Sequence, residues 1–176
     1  MSRKKIPVFT IGHSTRKFSE FAKILEAYGV KELVDVRTIA KSRKNPQFNG
    51  SSMGKKLKKY KIAYLHMKSL GGLRHSKKDS INTAWRNASF RGFADYMQTP
   101  EFRAALKKLM DLARKKPVAV MCAEAVPWRC HRSLIGDALV IGKIDVQDIY
   151  SATNSKPHRL TPWAKVCGAK ITYPGR

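Results

Sequence analysis

One short segment of the chain concentrates side chains that can do chemistry. Residues 120–139 read VMCAEAVPWRCHRSLIGDAL, where Cys122 ends an apolar run and Cys130 follows after seven intervening residues. His131 comes next, with an arginine on each side of the Cys-His pair, and Glu124 lies between the two cysteines. Thiol, imidazole, carboxylate and guanidinium groups in one turn can move protons, hold an anion or supply a nucleophile.

The position of Cys130, between a strand end and a helix start, favours an active thiol. Free backbone N–H groups and the positive helix terminus attract an anion there, and they would lower the pKa of the Cys130 thiol. His131 or His13 would then carry its proton, with Glu124 as a further proton carrier. Arg132 would hold a phosphate or a carboxylate.

The same segment also has ordinary structural explanations. Cys122, at the end of an apolar strand, is typical of a small buried core residue. Glu124 would pair with Arg129 or Arg132, and His131 would cap the following helix. For Cys122 alone we favour the core interpretation, and for the group as a whole we favour a site.

Two familiar site patterns do not fit the segment. Tyrosine-phosphatase and rhodanese loops need an arginine six positions after the cysteine, but Trp128 occupies that position after Cys122. The spacing of Cys122, Cys130 and His131 matches no strong zinc pattern. The sequence therefore predicts no metal, and it identifies no cofactor.

Strand patterns alternate with helix patterns along the rest of the chain. Helices are indicated by Phe18, Phe21, Leu25 and Tyr28 with Gly29 as a stop, by Thr99-Pro100 as a helix start, and by the apolar spacing of 134–139. Strands are predicted at 6–11, 33–36, 62–65, 117–121 and 146–150. This order predicts a three-layer α/β/α fold with a mainly parallel sheet, in a single domain over 1–176 with its core at about 10–140.

Polar residues follow four of the predicted strands. In open α/β sheets the ligand crevice lies beyond the carboxyl ends of the strands, so we expect these residues to meet at one edge. Asp35 would orient Arg37 or His13, and two glycines would allow close backbone approach to a ligand. The predicted catalytic residues are His13, Glu124, Cys130 and His131; the predicted anion-binding residues are Ser14, Asp35, Arg37, Gly71, Gly72, Arg74, Arg129 and Arg132.

The charge of the chain indicates a polyanionic partner. Lys and Arg total 36 against 12 Asp and Glu, a formal net charge of +24. From Arg37 to Lys78 there are 13 basic residues and no acidic one, in a region much of which we expect to be loop. We predict that this region binds nucleic acid through phosphates, with counterion release. The predicted contacts are Lys41, Arg43, Lys44, Lys55, Lys56, Lys58, Lys59, Lys77 and Lys78.

Several interpretations of this surface remain open. The aromatic residues Phe48, Tyr60, Tyr64 and Trp85 would either stack on unpaired bases or belong to the core. No helix-turn-helix, zinc-finger or RNA-recognition signature supports sequence-specific reading. The pocket would serve an enzyme acting on nucleic acid or a phosphorylated small ligand, or a binding module without catalysis. A small-molecule enzyme with an incidentally basic surface is the third interpretation.

The sequence also bears on the compartment of the protein. It shows neither a signal peptide nor an apolar stretch long enough to span a membrane, so no membrane association is predicted. Its three cysteines are an odd number, expected to be reduced. These features predict a cytoplasmic protein.

Five motifs together resemble the family called domain of unknown function 488. They are TIGHS at 10–14, DVR at 35–37, LGGLR at 70–74, GFADYM at 92–97 and MCAEAVPWRCHR at 121–132. Their combination in this order is specific, and it covers most of the chain, from about residue 10 to the helix after Arg132. The resemblance implies a small α/β protein but no established reaction. It also implies a pocket containing His13, Asp35, Arg37, Gly71, Gly72, Glu124, Cys130, His131 and Arg132.

Overall fold

The computed structural model describes residues 5–176 and contains a six-stranded central sheet. Its strand order is β3-β2-β4-β1-β5-β6, in which all neighbours run parallel except β5 and β6. The strands of this sheet are β1 (Val8–Gly12), β2 (Glu32–Asp35), β3 (Ala63–His66), β4 (Val118–Cys122), β5 (Val146–Ser151) and β6 (Asn154–Pro157); β7 (Lys165–Cys167) and β8 (Lys170–Thr172) form a separate hairpin.

Within residues 5–176, five α-helices cover the two faces of the sheet. Their bounds are α1 (Phe18–Ala27), α2 (Gly50–Lys58), α3 (Ala88–Tyr96), α4 (Pro100–Ala113) and α5 (Arg132–Ile141). Buried residues of α1 and α2 pack with one face of the sheet, and those of α3, α4 and α5 pack with the other. The period of two in β4 divides its side chains between these cores, because Val118 and Val120 join one core while Ala119 and Met121 join the other. The predicted three-layer α/β/α fold is confirmed.

Helix boundaries follow local signals where the sequence carries them. Thr99 accepts a hydrogen bond from the backbone N–H of Phe102, and Pro100 occupies the first turn of α4, as predicted. Gly29, the predicted stop after α1, has a φ of 65°, a left-handed conformation that glycine adopts without strain. Most ends of the five predicted strands differ by one or two residues from the ends in the structure.

The region 37–78 is more ordered than the sequence indicated. Much of it lies outside regular elements, as predicted, but α2 and β3 also lie in it, together with short 3-10 helices at Pro46–Phe48 and Lys68–Leu70. Met53 and Leu57 bury one face of α2 against the sheet. Three lysines near the end of α2 are favourably placed beside the negative end of the helix dipole.

Candidate functional site

A cavity of about 470 Å³ opens beyond the carboxyl ends of β1, β2 and β4. We call it the strand-end cavity. It is lined by seven of the predicted catalytic and anion-binding residues, namely His13, Arg37, Gly72, Glu124, Arg129, Cys130 and His131. Lys41, predicted as a nucleic-acid contact, also lines it, and so do Cys122, Ile39, Leu73 and Phe90. The carboxyl ends meet because Gly12 pairs with Cys122 and Asp35 with Met121.

Asp35 fixes Arg37 at the floor of this cavity. The carboxylate is fully buried and accepts hydrogen bonds from Arg37 Nε (2.9 Å) and Nη2 (2.6 Å), and from the Tyr64 hydroxyl (2.6 Å). Arg37 Nη2 also donates to the Phe48 carbonyl at 2.7 Å. Although burial opposes it, this pairing raises the pKa of Arg37, so the guanidinium is a permanent, immobile cation.

His13 is a neutral neighbour of that cation. Its Nδ1 lies 2.8 Å from the Ser14 carbonyl, so Nδ1 donates and Nε2 keeps its lone pair, which faces Arg37 Nη1 at 3.3 Å. Burial and the Arg37 charge lower the pKa of His13. The ring also stacks on Phe48, with centroids 4.4 Å apart. His13 therefore fixes the geometry of the floor, and its free nitrogen is already engaged.

His131 is held between two carbonyl groups. Its Nε2 lies 2.9 Å from the Val36 oxygen and 3.0 Å from the Leu70 oxygen, so this nitrogen carries the proton. Nδ1 is left as an acceptor, 3.4 Å from the Cys130 sulfur. Burial lowers the pKa of His131 to about 4, which makes it a weak base. A Cβ on Gly72 would overlap this ring, so the predicted close approach at Gly72 is made to His131.

The pKa values of the two thiols are shifted in opposite directions, and that of Cys130 is raised where a lowered value was predicted. Interaction with Cys122 and burial raise the pKa of the Cys130 thiol, so the predicted lowering is wrong. Burial also disfavours the Cys122 thiolate, but interaction with the Cys130 thiol and the charge of Arg132 lower the Cys122 pKa to about 7. Of this interacting pair, Cys122 is therefore the thiol that ionises more readily.

Arg132 lies beneath the cavity and does not line it. The residue is 0% exposed; Nη1 donates to the Thr10 hydroxyl at 3.0 Å and Nη2 to the Glu124 carbonyl at 3.1 Å. Thr10 in turn donates to Asp148. His158 joins Asp148 to Asp137, which also accepts a hydrogen bond from the Tyr173 hydroxyl at 2.8 Å. The predicted anion holder is thus part of a buried polar network.

The other predicted anion-binding residues have structural contacts. The Ser14 N–H donates to the Ala123 carbonyl, and Ser14 has a φ of 51°. The space for a Cβ at Gly71 is occupied by Thr38. Arg74 lies over the Tyr96 ring, 3.6 Å from its centroid, and donates to the Gly71 carbonyl.

The predicted nucleic-acid contacts occupy three surface segments. Most of them are exposed. Lys56 is half-buried, because its Nζ donates to the Gln47 carbonyl and lies over the Phe18 ring. The segments are the loop with Lys41, Arg43 and Lys44, the end of α2 with Lys55, Lys56, Lys58 and Lys59, and the loop before α3 with Lys77 and Lys78.

The aromatic residues between these segments belong mainly to the core. Phe48 is fully buried, and Tyr60 and Tyr64 pack at the edge of the same core. Within residues 5–176, no group of three or more His, Cys, Asp or Glu side chains is placed to hold a metal ion. No helix in that range is both long and apolar enough to cross a membrane.

The sequence did not reveal the place of Cys122 on the cavity wall, nor the apolar part of that wall. The apolar strand predicts a core position for Cys122, and the residue is indeed buried. The signal that separates it from a core residue is its register, opposite Gly12 at the last paired position of two parallel strands. Ile39 and Leu73 are 62% and 65% exposed beside the cavity, which no pattern along the chain indicated.

The mainly parallel sheet and the cavity at its carboxyl edge define an α/β protein whose cavity lies where open α/β sheets bind ligands. A family model described as Domain of unknown function DUF488 matches residues 17–139, and the chain belongs to this family. The resemblance noted from the five motifs is confirmed. No curated protein and no solved structure matches the chain.

Proposed function

We propose that the protein binds nucleic acid through its phosphates and that the strand-end cavity takes a phosphate-bearing nucleotide unit. One observation carries the proposal: Lys41 lines the cavity and also belongs to the segment 37–78, which has 13 basic residues and no acidic one. Lys41 thus joins the first of the three basic segments to the cavity mouth. A polyanion on that surface would reach the cavity without crossing acidic groups of that segment.

The chemistry of the cavity wall suits a nucleotide. Lys41 and Arg129 are exposed at the mouth and would contact a phosphate, while the charge of Arg37 at the floor is balanced by Asp35. Ile39 and Leu73 supply an apolar surface for a base or a sugar. We assign phosphate binding to the two mouth residues, because Arg132 is buried and its Nη atoms are engaged.

The outer face of α2 provides the polymer contacts in this proposal. Lys55, Lys58 and Lys59 are exposed, and the buried Met53 and Leu57 fix the opposite face of the helix. Flexible lysines on a rigid helix bind phosphates without reading sequence. We therefore expect backbone binding of limited sequence preference.

Salt-dependent binding tests the proposal. A variant with Lys55, Lys58 and Lys59 changed to Glu should bind a labelled oligonucleotide more weakly, and its slope of log K against log salt should fall by about three. The control variant changes Lys108, Lys115 and Lys165 to Glu. These three lysines are exposed on other parts of the surface, and their replacement alters the net charge by the same amount. Equal affinities for both variants would place the binding surface elsewhere, and a wild-type affinity independent of salt would remove the proposal.

Catalysis is a second candidate function, and Cys122 is the observation that favours it. A thiol with a pKa near 7 at the cavity floor, next to a protonated Cys130, has the ionisation of a nucleophile and a nearby proton donor. Cys122→Ala should then abolish turnover of a nucleic-acid or phosphorylated substrate and leave salt-dependent binding unchanged. Turnover that survives in this variant would exclude Cys122 as the nucleophile, and a wild type without turnover would leave a binding module as the function.

We further propose that residues 1–176 form one domain that works in the cytoplasm. Cys122, Cys130 and Cys167 are all free, as expected for a reducing compartment. Fractionation of cells that express the full chain, with detection in the soluble and secreted fractions, tests this placement.

A further inference from the structure

A second cavity, of about 710 Å³, lies next to the strand-end cavity and has aromatic walls. It is lined by all three tryptophans of the chain, Trp85, Trp128 and Trp163, together with Tyr150. We call it the tryptophan cavity. Neither the family match nor the proposed phosphate surface accounts for it, because its walls come largely from residues beyond 139.

The tryptophans are exposed in an unusual way. Trp128 is 63% exposed and Trp163 is 46% exposed, which leaves large ring faces in contact with water. Both rings are supported from behind: Trp163 packs edge-on against Trp85, with centroids 5.3 Å apart, and Trp128 lies 6.5 Å from the Tyr150 ring. Supported but uncovered aromatic faces are the platforms on which unpaired bases stack.

The charge around these rings selects the kind of ligand. Lys156 and Arg159 line the cavity and are exposed, whereas the positive charge of His158 is offset by the two aspartates that it contacts. Asp148 also lies on the wall, but its carboxylate is engaged by Thr10 and His158. A cationic ligand such as a quaternary ammonium group would be repelled. An aromatic ligand with a negative charge would be attracted.

The two cavities are neighbours through shared structural elements. Trp128 and Arg129 are consecutive residues of a short 3-10 helix, Pro127–Arg129, and they line the tryptophan cavity and the strand-end cavity respectively. Trp85 stacks on Phe90 at 4.8 Å between centroids, and Phe90 lines the strand-end cavity. One strand of nucleic acid could therefore occupy both cavities with adjacent nucleotides.

We infer that the tryptophan cavity binds an unpaired base of single-stranded nucleic acid, stacked on Trp128 and Trp163, with Lys156 and Arg159 on the flanking phosphates. The inference rests on the proposed nucleic-acid binding and adds that the preferred form is single-stranded. A base pair presents its faces only to its neighbours in the duplex, so a duplex would not fill the cavity.

Fluorescence and binding measurements test the inference directly. Because all three tryptophans line this cavity, their emission should be quenched when oligothymidylate or oligouridylate is added. Trp128→Ala and Trp163→Ala should each weaken single-strand binding by about 5- to 150-fold, without an equal effect on a matched duplex. Trp128→Phe should retain most of the affinity, and Val166→Ala, at an exposed residue in β7, is the control.

The outcomes separate this inference from the proposed function. If both alanine variants bind a single strand as the wild type does, the stacking site is wrong. In that case, weaker binding by the α2 lysine variant would still support the phosphate surface. If only the tryptophan variants lose binding, the α2 surface is wrong and the tryptophan cavity stands. Failure of the wild type to bind any oligonucleotide would overturn both.

Discussion

Deprotonation of His158 should destabilise the folded protein as the pH rises above neutral. The side chain is 5% exposed and lies 3.0 Å from an Asp137 oxygen and 2.9 Å from an Asp148 oxygen. Burial alone would disfavour the charged ring, but the two carboxylates outweigh it and raise the pKa of His158 to about 9. The cation connects the residues after β6 to α5.

The size of the effect follows from the pKa difference. An increase from 6.5 in the unfolded chain to about 9 in the folded protein corresponds to roughly 3 kcal/mol of stability. This contribution is complete below pH 6.5, where the ring is protonated in both states. Between pH 6.5 and about 9 the unfolded chain binds fewer protons than the folded one, so the free energy of unfolding falls as the pH rises.

Urea unfolding of the wild type and of His158→Gln over this pH range measures the effect. The thiol of Cys122 titrates in the same range with the opposite sign, because its pKa is lowered. Both proteins contain Cys122, so its contribution cancels when the free energy of unfolding of His158→Gln is subtracted from that of the wild type. This difference in free energy should shrink by roughly 3 kcal/mol from the acid to the alkaline end of the pH range. A constant difference, with an imidazole NMR titration near 6.5, would refute the assignment of a doubly paired cation.

Three further predictions concern the strand-end cavity. The rate at which iodoacetamide alkylates Cys122, followed by peptide mass spectrometry, should rise with pH with a midpoint near pH 7. Cys130→Ala should raise this midpoint, and an unchanged midpoint would contradict the proposed interaction of the thiols. Asp35→Asn leaves the buried Arg37 guanidinium without its carboxylate and should lower the free energy of unfolding, measured by urea denaturation, by about 3–5 kcal/mol. A loss within experimental error would show that the Asp35–Arg37 pair is not needed for stability. Gly72→Ala forces a methyl group against the His131 imidazole and should lower the free energy of unfolding by about 1–3 kcal/mol. Gly54→Ala is the control, because a Cβ there has no neighbour closer than 4.0 Å. Equal thermal stabilities of the two variants would contradict the close packing at Gly72.

Five of the six strands of the sheet could be predicted from the sequence because they are short, largely apolar runs; β6, which reads NSKP, carries no such pattern and was not predicted. β1 and β4 are buried at every position, so their hydrophobicity is visible without knowledge of the fold. α2 could not be predicted in this way. It begins Gly-Ser-Ser and contains a second glycine, so its helical propensity is low. Met53 and Leu57 stabilise it only once they pack on the sheet.

The candidate site was predicted in composition but not in the roles of its residues. Residue types at strand ends located His13, Arg37, Cys130 and His131, which share one cavity. Which nitrogen of an imidazole is free, or which thiol ionises, depends on partners distant in the chain. Arg132 lowers the pKa of Cys122, and carbonyl groups of distant residues set the tautomer of His131. Such partners become visible only in the folded structure.

The position of β1 affects how the protein can be shortened for experiments. The family match covers residues 17–139, yet β1 at Val8–Gly12 is hydrogen-bonded between β4 and β5 in the middle of the sheet. A fragment cut to the matched residues would lose both β1 and β5, and β4, still paired with β2 on one side, would expose an unpaired apolar edge on the other. Such an edge pairs with other copies of itself, so this fragment should aggregate. The family segment and the folding unit of the protein therefore have different limits.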